Sequence, residues 1–235
     1  MFYDEKVVSI RNSVSTAPIE QEININDLFF RKIISLLKED DNVLDIGTGN
    51  GFVLSQIKEK CNFSCNLVGL DNSEAMIKEA NKNLNGTALI VKGDNTHLPF
   101  DDSSFDIITA KNVTRFSSCE IFRVLKPNGY FIFREYGTGK GLVEIATLFP
   151  ERLIRSRIPT FYVEKLEREH MHLISLETYY IERTFTKITD LLNVVKSYPF
   201  IQDYSSKDED CIKNAFGSIN IKITSDPFIL VTQKL

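Results

Sequence analysis

Val43-Leu44-Asp45-Ile46-Gly47-Thr48-Gly49-Asn50-Gly51 decides how this chain is read. A stretch suited to a buried strand runs into three glycines at alternate positions, and Phe52 to Lys60 then follows helical spacing. A strand, turn and helix of this kind lets a ligand approach bare backbone and points the positive end of a helix at a negative group. The dinucleotide fingerprint uses the same device but spaces its glycines G-x-G-x-x-G, whereas here the third arrives one position early. Asp45 adds a second distinction, because a carboxylate at the strand end repels a pyrophosphate and attracts an ammonium. The turn therefore suits a zwitterionic amino-acid tail better than a diphosphate.

Outward from this turn, strand and helix signals alternate. Asn26-Asp27 can cap a helix running to about Glu39, and strands are expected over 43–46, 67–70, 88–91, 105–110 and 130–134. Helices are expected over 52–60, 73–84 and 119–125. Such alternation implies a parallel sheet with helices on both faces. Beyond Gly141 the pattern becomes helical near 142–148 and 160–169, followed by one long strand from Leu173 to Ile181. Two more helical stretches, 187–196 and 207–215, precede 218–224 and 227–233, either a hairpin-like pair or one strand bent at Pro227. The expected organisation is an arm or lid over 1–24 and a single domain over 25–235. Within it, 40–135 forms the ligand-binding core, and 137–159 and 186–217 cover the acceptor side.

Composition excludes several classes. With 235 residues, 43% hydrophobic and 26% charged, the chain can build a core and is neither disordered nor a disulfide scaffold. No apolar run reaches the length of a membrane helix, and Met1-Phe-Tyr-Asp-Glu lacks the pattern of a secretion signal, so the expectation is a cytoplasmic protein without a membrane partner. Cys61 and Cys65 share a metal-like spacing, but no second pair completes a ligand set, so no metal is expected. A net charge of −4 disfavours nucleic acid and favours a small-molecule partner. Only 11 glycines are present, and six of them fall in two clusters, Gly47, Gly49 and Gly51 and then Gly137, Gly139 and Gly141.

Two more acids extend the first signal. Asp71, at the end of the next strand, is placed to accept hydrogen bonds from both hydroxyls of a ribose. Asp94, just past the third strand, is placed to accept the exocyclic amine of an adenine. Arg134, Glu135 and Tyr136 follow the fifth strand directly and lead into the second glycine cluster. That position puts a base, an acid and a phenol on the ligand side of the sheet, where catalytic groups belong. His97 reads as structural, and His170 and His172 precede the sixth strand at the opposite edge. Asp106 and Pro99 read as fold residues, and Arg123 and Lys126 as a solvated helix face. Arg152, Arg155 and Arg157 form either a solvated lid face or a receiver for an acidic acceptor or RNA phosphates.

With Leu98-Pro99-Phe100-Asp101-Asp102-Ser103-Ser104-Phe105-Asp106 added, the sequence resembles the class I S-adenosylmethionine-dependent methyltransferases, in the group that carries L-P-F-x-D-x-S-F-D. The match covers roughly residues 40 to 135, continues through Asp71-Asn72-Ser73-Glu74-Ala75-Met76 and closes with Ile121 to Gly129. The resemblance implies a Rossmann-like seven-stranded, mostly parallel sheet with the last strand antiparallel and a helical insertion near the C-terminal strands. It implies S-adenosyl-L-methionine as cofactor, its methionyl part held by Asp45 and the Gly47, Thr48, Gly49 and Gly51 backbone. Asp71 would bind the ribose, Asp94 and the Asn95 backbone the adenine, and Asn72 and Leu98 would pack around the ring. Lys111 and Asn112 would lie near the sulfonium. Ala110-Lys111-Asn112-Val113 departs from the Asn/Asp-Pro-Pro-Tyr/Phe of DNA base methyltransferases, so that substrate is disfavoured. The expected function is methyl transfer to a small molecule by in-line displacement. The alternatives are an RNA methyltransferase or an inert cofactor-fold protein that activates a partner.

Overall fold

The computed structural model describes residues 20–21, 23–113, 115–154 and 157–235, the first pair as backbone alone. The chain divides into two compact units. One comprises Ile25–Glu135, Pro159–Glu177 and Phe228–Leu235, and the other Tyr136–Ile158 and Thr178–Pro227 together with the short strand β1 (Glu20–Gln21). In chain order there follow α1 (Ile25–Leu36), β2 (Asn42–Ile46), α2 (Phe52–Lys60), β3 (Asn66–Asp71), α3 (Glu74–Leu84), β4 (Leu89–Lys92), β5 (Phe105–Lys111), α4 (Ser118–Val124) and β6 (Leu125–Tyr136). Then come α5 (Val143–Leu148), a 3-10 turn (Pro150–Arg152), α6 (Pro159–Glu167), β7 (Met171–Thr178), β8 (Ile181–Lys187), α7 (Ile188–Ser197), α8 (Ser206–Phe216), β9 (Ile219–Ser225) and β10 (Pro227–Lys234).

The first unit is built on a seven-stranded sheet in the order β4-β3-β2-β5-β6-β10-β7. β2 lies parallel to both β3 and β5, β3 to β4, and β5 to β6, while the last strand, β10, runs antiparallel. Val43, Leu44, Ile46, Ile107 and Ile108 are buried, as central parallel strands covered on both faces must be. Phe131, Phe133, Phe228 and Leu230 continue that core towards Tyr162 and Leu166 of α6. Strand order reverses between β2 and β5, and in open sheets of this kind a ligand binds outside the carboxyl ends of the strands at that point. Ser73 starts α3 as expected of a cap, its hydroxyl accepting from Met76 N.

The second unit has its own sheet, β1-β8-β9, antiparallel throughout. Leu142, Ile145, Phe185, Leu191, Leu192, Ile212, Ile221 and Ile223 form its core. Of the expected arm, only the pairing of Glu20–Gln21 with Thr184 and Arg183 lies within the described residues with Ile23 and Asn24.

Three expectations need correction. The long strand from Leu173 to Ile181 is two strands, β7 and β8, in two different sheets. Alternation along a strand reports a half-buried face without saying which sheet supplies it. The closing segments are likewise no hairpin, because β9 and β10 belong to different sheets and only Asp226 separates them. Arg123 is no merely solvated face. Its guanidinium donates to Leu98 O (2.9 Å), Phe100 O (2.7 Å), Asp102 (2.9 Å) and both oxygens of Glu120, stapling the Leu98–Asp102 loop to α4. Among the described residues no helix is long and apolar enough to cross a membrane.

Candidate active site

The carboxyl end of β2 delivers Asp45 into the core beside β5. Register pairs it with Thr109, whose hydroxyl donates to Asp45 Oδ1 at 2.7 Å. Asp45 is only 1% exposed, and burial pushes its pKa up to about 7, with the Thr109 hydrogen bond pulling the other way. The turn that follows is held from both ends. Thr48 N donates to Leu70 O at 3.0 Å, and Gly49 N donates to Asp71 Oδ2 at 2.9 Å. Asp71 takes Ser73 N on its other oxygen at 2.9 Å, so one carboxylate ties the glycine turn to the start of α3. Gly47 has φ +65°, and a Cβ there would sit 2.7 Å from Val113 Cγ2, which explains why no side chain stands at that position.

These residues fit an S-adenosylmethionine. A Cβ on Gly49 would meet nothing within 4 Å, leaving an open cradle over the turn. Thr48 Oγ1 is buried beside it and faces the Asp45 carboxylate, whose pKa it pulls down. A buried carboxylate with a raised pKa at the strand end is matched chemically by an ammonium, which would add to the counter-charge that Lys111 supplies.

The residues expected to face the adenine lie on the next loop. Asp94 is exposed, and hydrogen bonds from the Thr96 N–H and hydroxyl, both 2.7 Å, hold its pKa below the usual range. Asn95 comes close to the glycine turn, with Nδ2 3.3 Å from the position of a Gly47 Cβ, and its carbonyl accepts Ser117 N. Asn72 is exposed after Asp71, and Leu98 is buried, its N–H donating to Glu120.

At the ends of β5 and β6, Lys111 and Arg134 are register neighbours. Lys111 Nζ stands 5.1 Å over the Phe52 ring. Asn112 has φ +59°, and Arg134 fixes it twice, through its carbonyl to Asn112 N (2.9 Å) and its guanidinium to Asn112 Oδ1. Arg134 and Glu135 are both buried, at 3% and 0% exposure, and Tyr136 is half-buried.

The second glycine cluster has a different occupant. Asp226 Oδ2 accepts Gly139 N and Oδ1 accepts Gly141 N, both at 2.7 Å, while Gly137 N donates to the Asp226 carbonyl at 2.9 Å. A Cβ at Gly139 would fall 2.5 Å from Val143, and one at Gly141, where φ is +78°, 2.6 Å from the Tyr136 ring. Burial raises the Asp226 pKa and the two glycine N–H groups oppose that.

Of the arginine cluster, Arg152 is engaged by Asp208 at 2.5 Å and lies over Phe149, Arg157 is exposed, and Arg155 lies outside the described residues. Cys61 and Cys65 sulfurs are 3.7 Å apart as free thiols. Three participants escaped sequence reading: Thr109, Val113 and Asp226. Only sheet register signals Thr109, and nothing local signals the other two.

Residues 44–133 match the family model described as a methyltransferase domain. With a glycine turn, Asp45 and Asp71 at the switch point, this core is similar to S-adenosylmethionine-dependent methyltransferase domains, whose cofactor these residues fit. The chain is similar to a sterol 24-C-methyltransferase of Schizosaccharomyces pombe, 40% identical over 106 residues that are 40% of this chain and 28% of that protein. It is also similar to a demethylmenaquinone methyltransferase of Lactobacillus johnsonii, 36% identical over 112 residues that are 43% of this chain and 45% of that protein. The match thus spans less than half the length of either relative. An SAM-dependent methyltransferase from Methanosarcina mazei shares the fold with a TM-score of 0.59 and 20% identity, over 87% of this chain and 97% of that one.

Proposed function

We propose that this protein is an S-adenosylmethionine-dependent methyltransferase that acts on a small-molecule acceptor. The observation that carries the reading is the Gly49 N to Asp71 Oδ2 hydrogen bond beside buried Asp45, a pre-organised seat for an aminoacyl-ribose ligand at the switch point. Two similar proteins are named for a sterol and for demethylmenaquinone, both small molecules, which supports the acceptor class.

When bound, the cofactor supplies an activated methyl group on a sulfonium. Asp45 would anchor its ammonium, Asp71 would orient its ribose while holding the turn in shape through the Gly49 N–H, and Asp94 and Asn95 would flank its base, with Asn72 at the rim. Lys111 and Asn112 border the sulfonium position, and Arg134 keeps Asn112 in its left-handed conformation. Glu135 and Tyr136 are the acceptor-side candidates for moving a proton where the nucleophile carries one. Acceleration otherwise comes from alignment for in-line displacement and from exclusion of water.

Calorimetric titration with S-adenosylhomocysteine tests the cofactor, and tritium transfer from labelled S-adenosylmethionine to a metabolite extract or to total RNA tests the acceptor. Micromolar binding with label in the extract is expected. No binding by folded protein would refute the assignment, and label in RNA would overturn the acceptor class.

A further inference from the structure

We infer that Lys165, on α6 and outside every motif of the site, is a positioning residue that holds Phe116 and Ser117, and with them the ties of this segment to the cofactor turn, in place. The inference rests on the proposed function and concerns the same site.

The loop after β5 is tied to cofactor-side residues at three points. Asn112 is fixed by Arg134, Val113 lies directly against Gly47, and Ser117 N donates to the Asn95 carbonyl at 3.1 Å. Loop position thus sets how closely Val113 and Asn95 border the ligand. Between these ties Phe116 points the other way, into an aromatic cluster with Phe131, Phe133 and Tyr162. Lys165 grips that residue twice. Its ammonium donates to the Phe116 carbonyl and stands 4.1 Å over the Phe116 ring. Phe116 is otherwise an anchor of apolar contacts, which resist sliding poorly, whereas a charge-assisted hydrogen bond to its carbonyl fixes the backbone itself.

Burial lowers the pKa of Lys165, opposed by Glu169, so the ammonium sits there at a cost in stability. A group that a plain apolar side chain would replace without loss of packing, yet which holds the backbone of a site loop, is best explained by that hold.

Two variants separate this role from a general structural one. In Lys165→Met, amide hydrogen exchange at Ser117, whose N–H is held by the Asn95 carbonyl, should accelerate roughly tenfold in the cofactor-free protein. The dissociation constant for S-adenosylhomocysteine should rise by about the same factor, while the melting temperature falls by no more than about 4 °C. Lys165→Arg should restore affinity to within about twofold, since it keeps the charge and the donor. Unchanged exchange in Lys165→Met would overturn the inference whatever the ligand result. Loss of affinity in step with a larger fall in melting temperature and no rescue by arginine would also overturn it. Wild-type protein that fails to bind S-adenosylhomocysteine would instead overturn the proposed function, an outcome the exchange measurement keeps distinct.

Discussion

The glycine clusters at 47–51 and 137–141 look alike in sequence and do opposite things. Both have glycine N–H groups held by a carboxylate of the chain itself, but the first, held on Asp71, leaves open space above Gly49. The second is closed on the protein's own Asp226, which occupies the donors that an external anion would use. Clustered glycine therefore announces that something comes close to the backbone, and only the fold says whether that is a ligand or a side chain. The second cluster falls within 137–159, the expected acceptor-side cover, yet its glycines are explained by a buried internal clamp on Asp226.

The largest effect expected from breaking that contrast is in the closed loop. Asp226→Ala leaves the Gly139 and Gly141 N–H groups buried without their acceptor, and should cost ~3 kcal/mol of stability in urea titration. An unchanged midpoint would mean that the clamp does not hold the loop. In the open turn the corresponding loss is affinity. Asp71→Ala should weaken S-adenosylhomocysteine by ~1 to 3 kcal/mol in calorimetry, because it strands the Gly49 N–H as well as the ribose hydroxyls.

Asp45 sharpens the difference through pH. Its folded pKa, about 7, lies above its ordinary 3.8, so cofactor-free protein loses stability as pH rises from about 4 to about 7. A ligand ammonium favours the ionised form, so affinity should climb up to about tenfold per pH unit below 7 and level off above it. Asp45→Asn should flatten that dependence, weaken the ligand, and stabilise cofactor-free protein at pH 8 by ~1 to 2 kcal/mol. A binding constant flat between pH 6 and 8 in the wild type would remove the ammonium from Asp45.

The smallest expected stability effect is Gly49→Ala. The space is open and only φ +57° opposes it, so a cost of ~1 kcal/mol is expected by thermal melting, together with a clear loss of ligand affinity as the Cβ enters the cradle. Loss of stability without loss of affinity would show that the ligand does not lie over this turn.

Much of the first unit was legible because its signals are local. Val43 to Gly51, Asp71 with Ser73, and the alternation up to Arg134 each act within a few residues, and the strands and helices fall where their periodicity places them. The rest depends on which strand lies next to which. Thr109 reaches Asp45 only through the β2–β5 register, and Val113 reaches Gly47 only because its loop folds back. Arg123 looked like surface because helical spacing does not show that two carbonyls of the Leu98–Asp102 loop lie within its reach.

The sequence by itself determined the order of elements, the parallel sheet with helices on its faces, and the three acids at strand ends, since these follow from hydrophobic period and from turn chemistry. The tertiary structure alone decided that Asp45 is buried enough to hold a proton near neutral pH. It alone decided that 173–187 and 219–234 each divide between two sheets, and that Asp226 fills the second glycine loop. Burial, register and long-range hydrogen bonds are properties of what the fold brings together, and residues far apart in the chain carry no local mark of meeting.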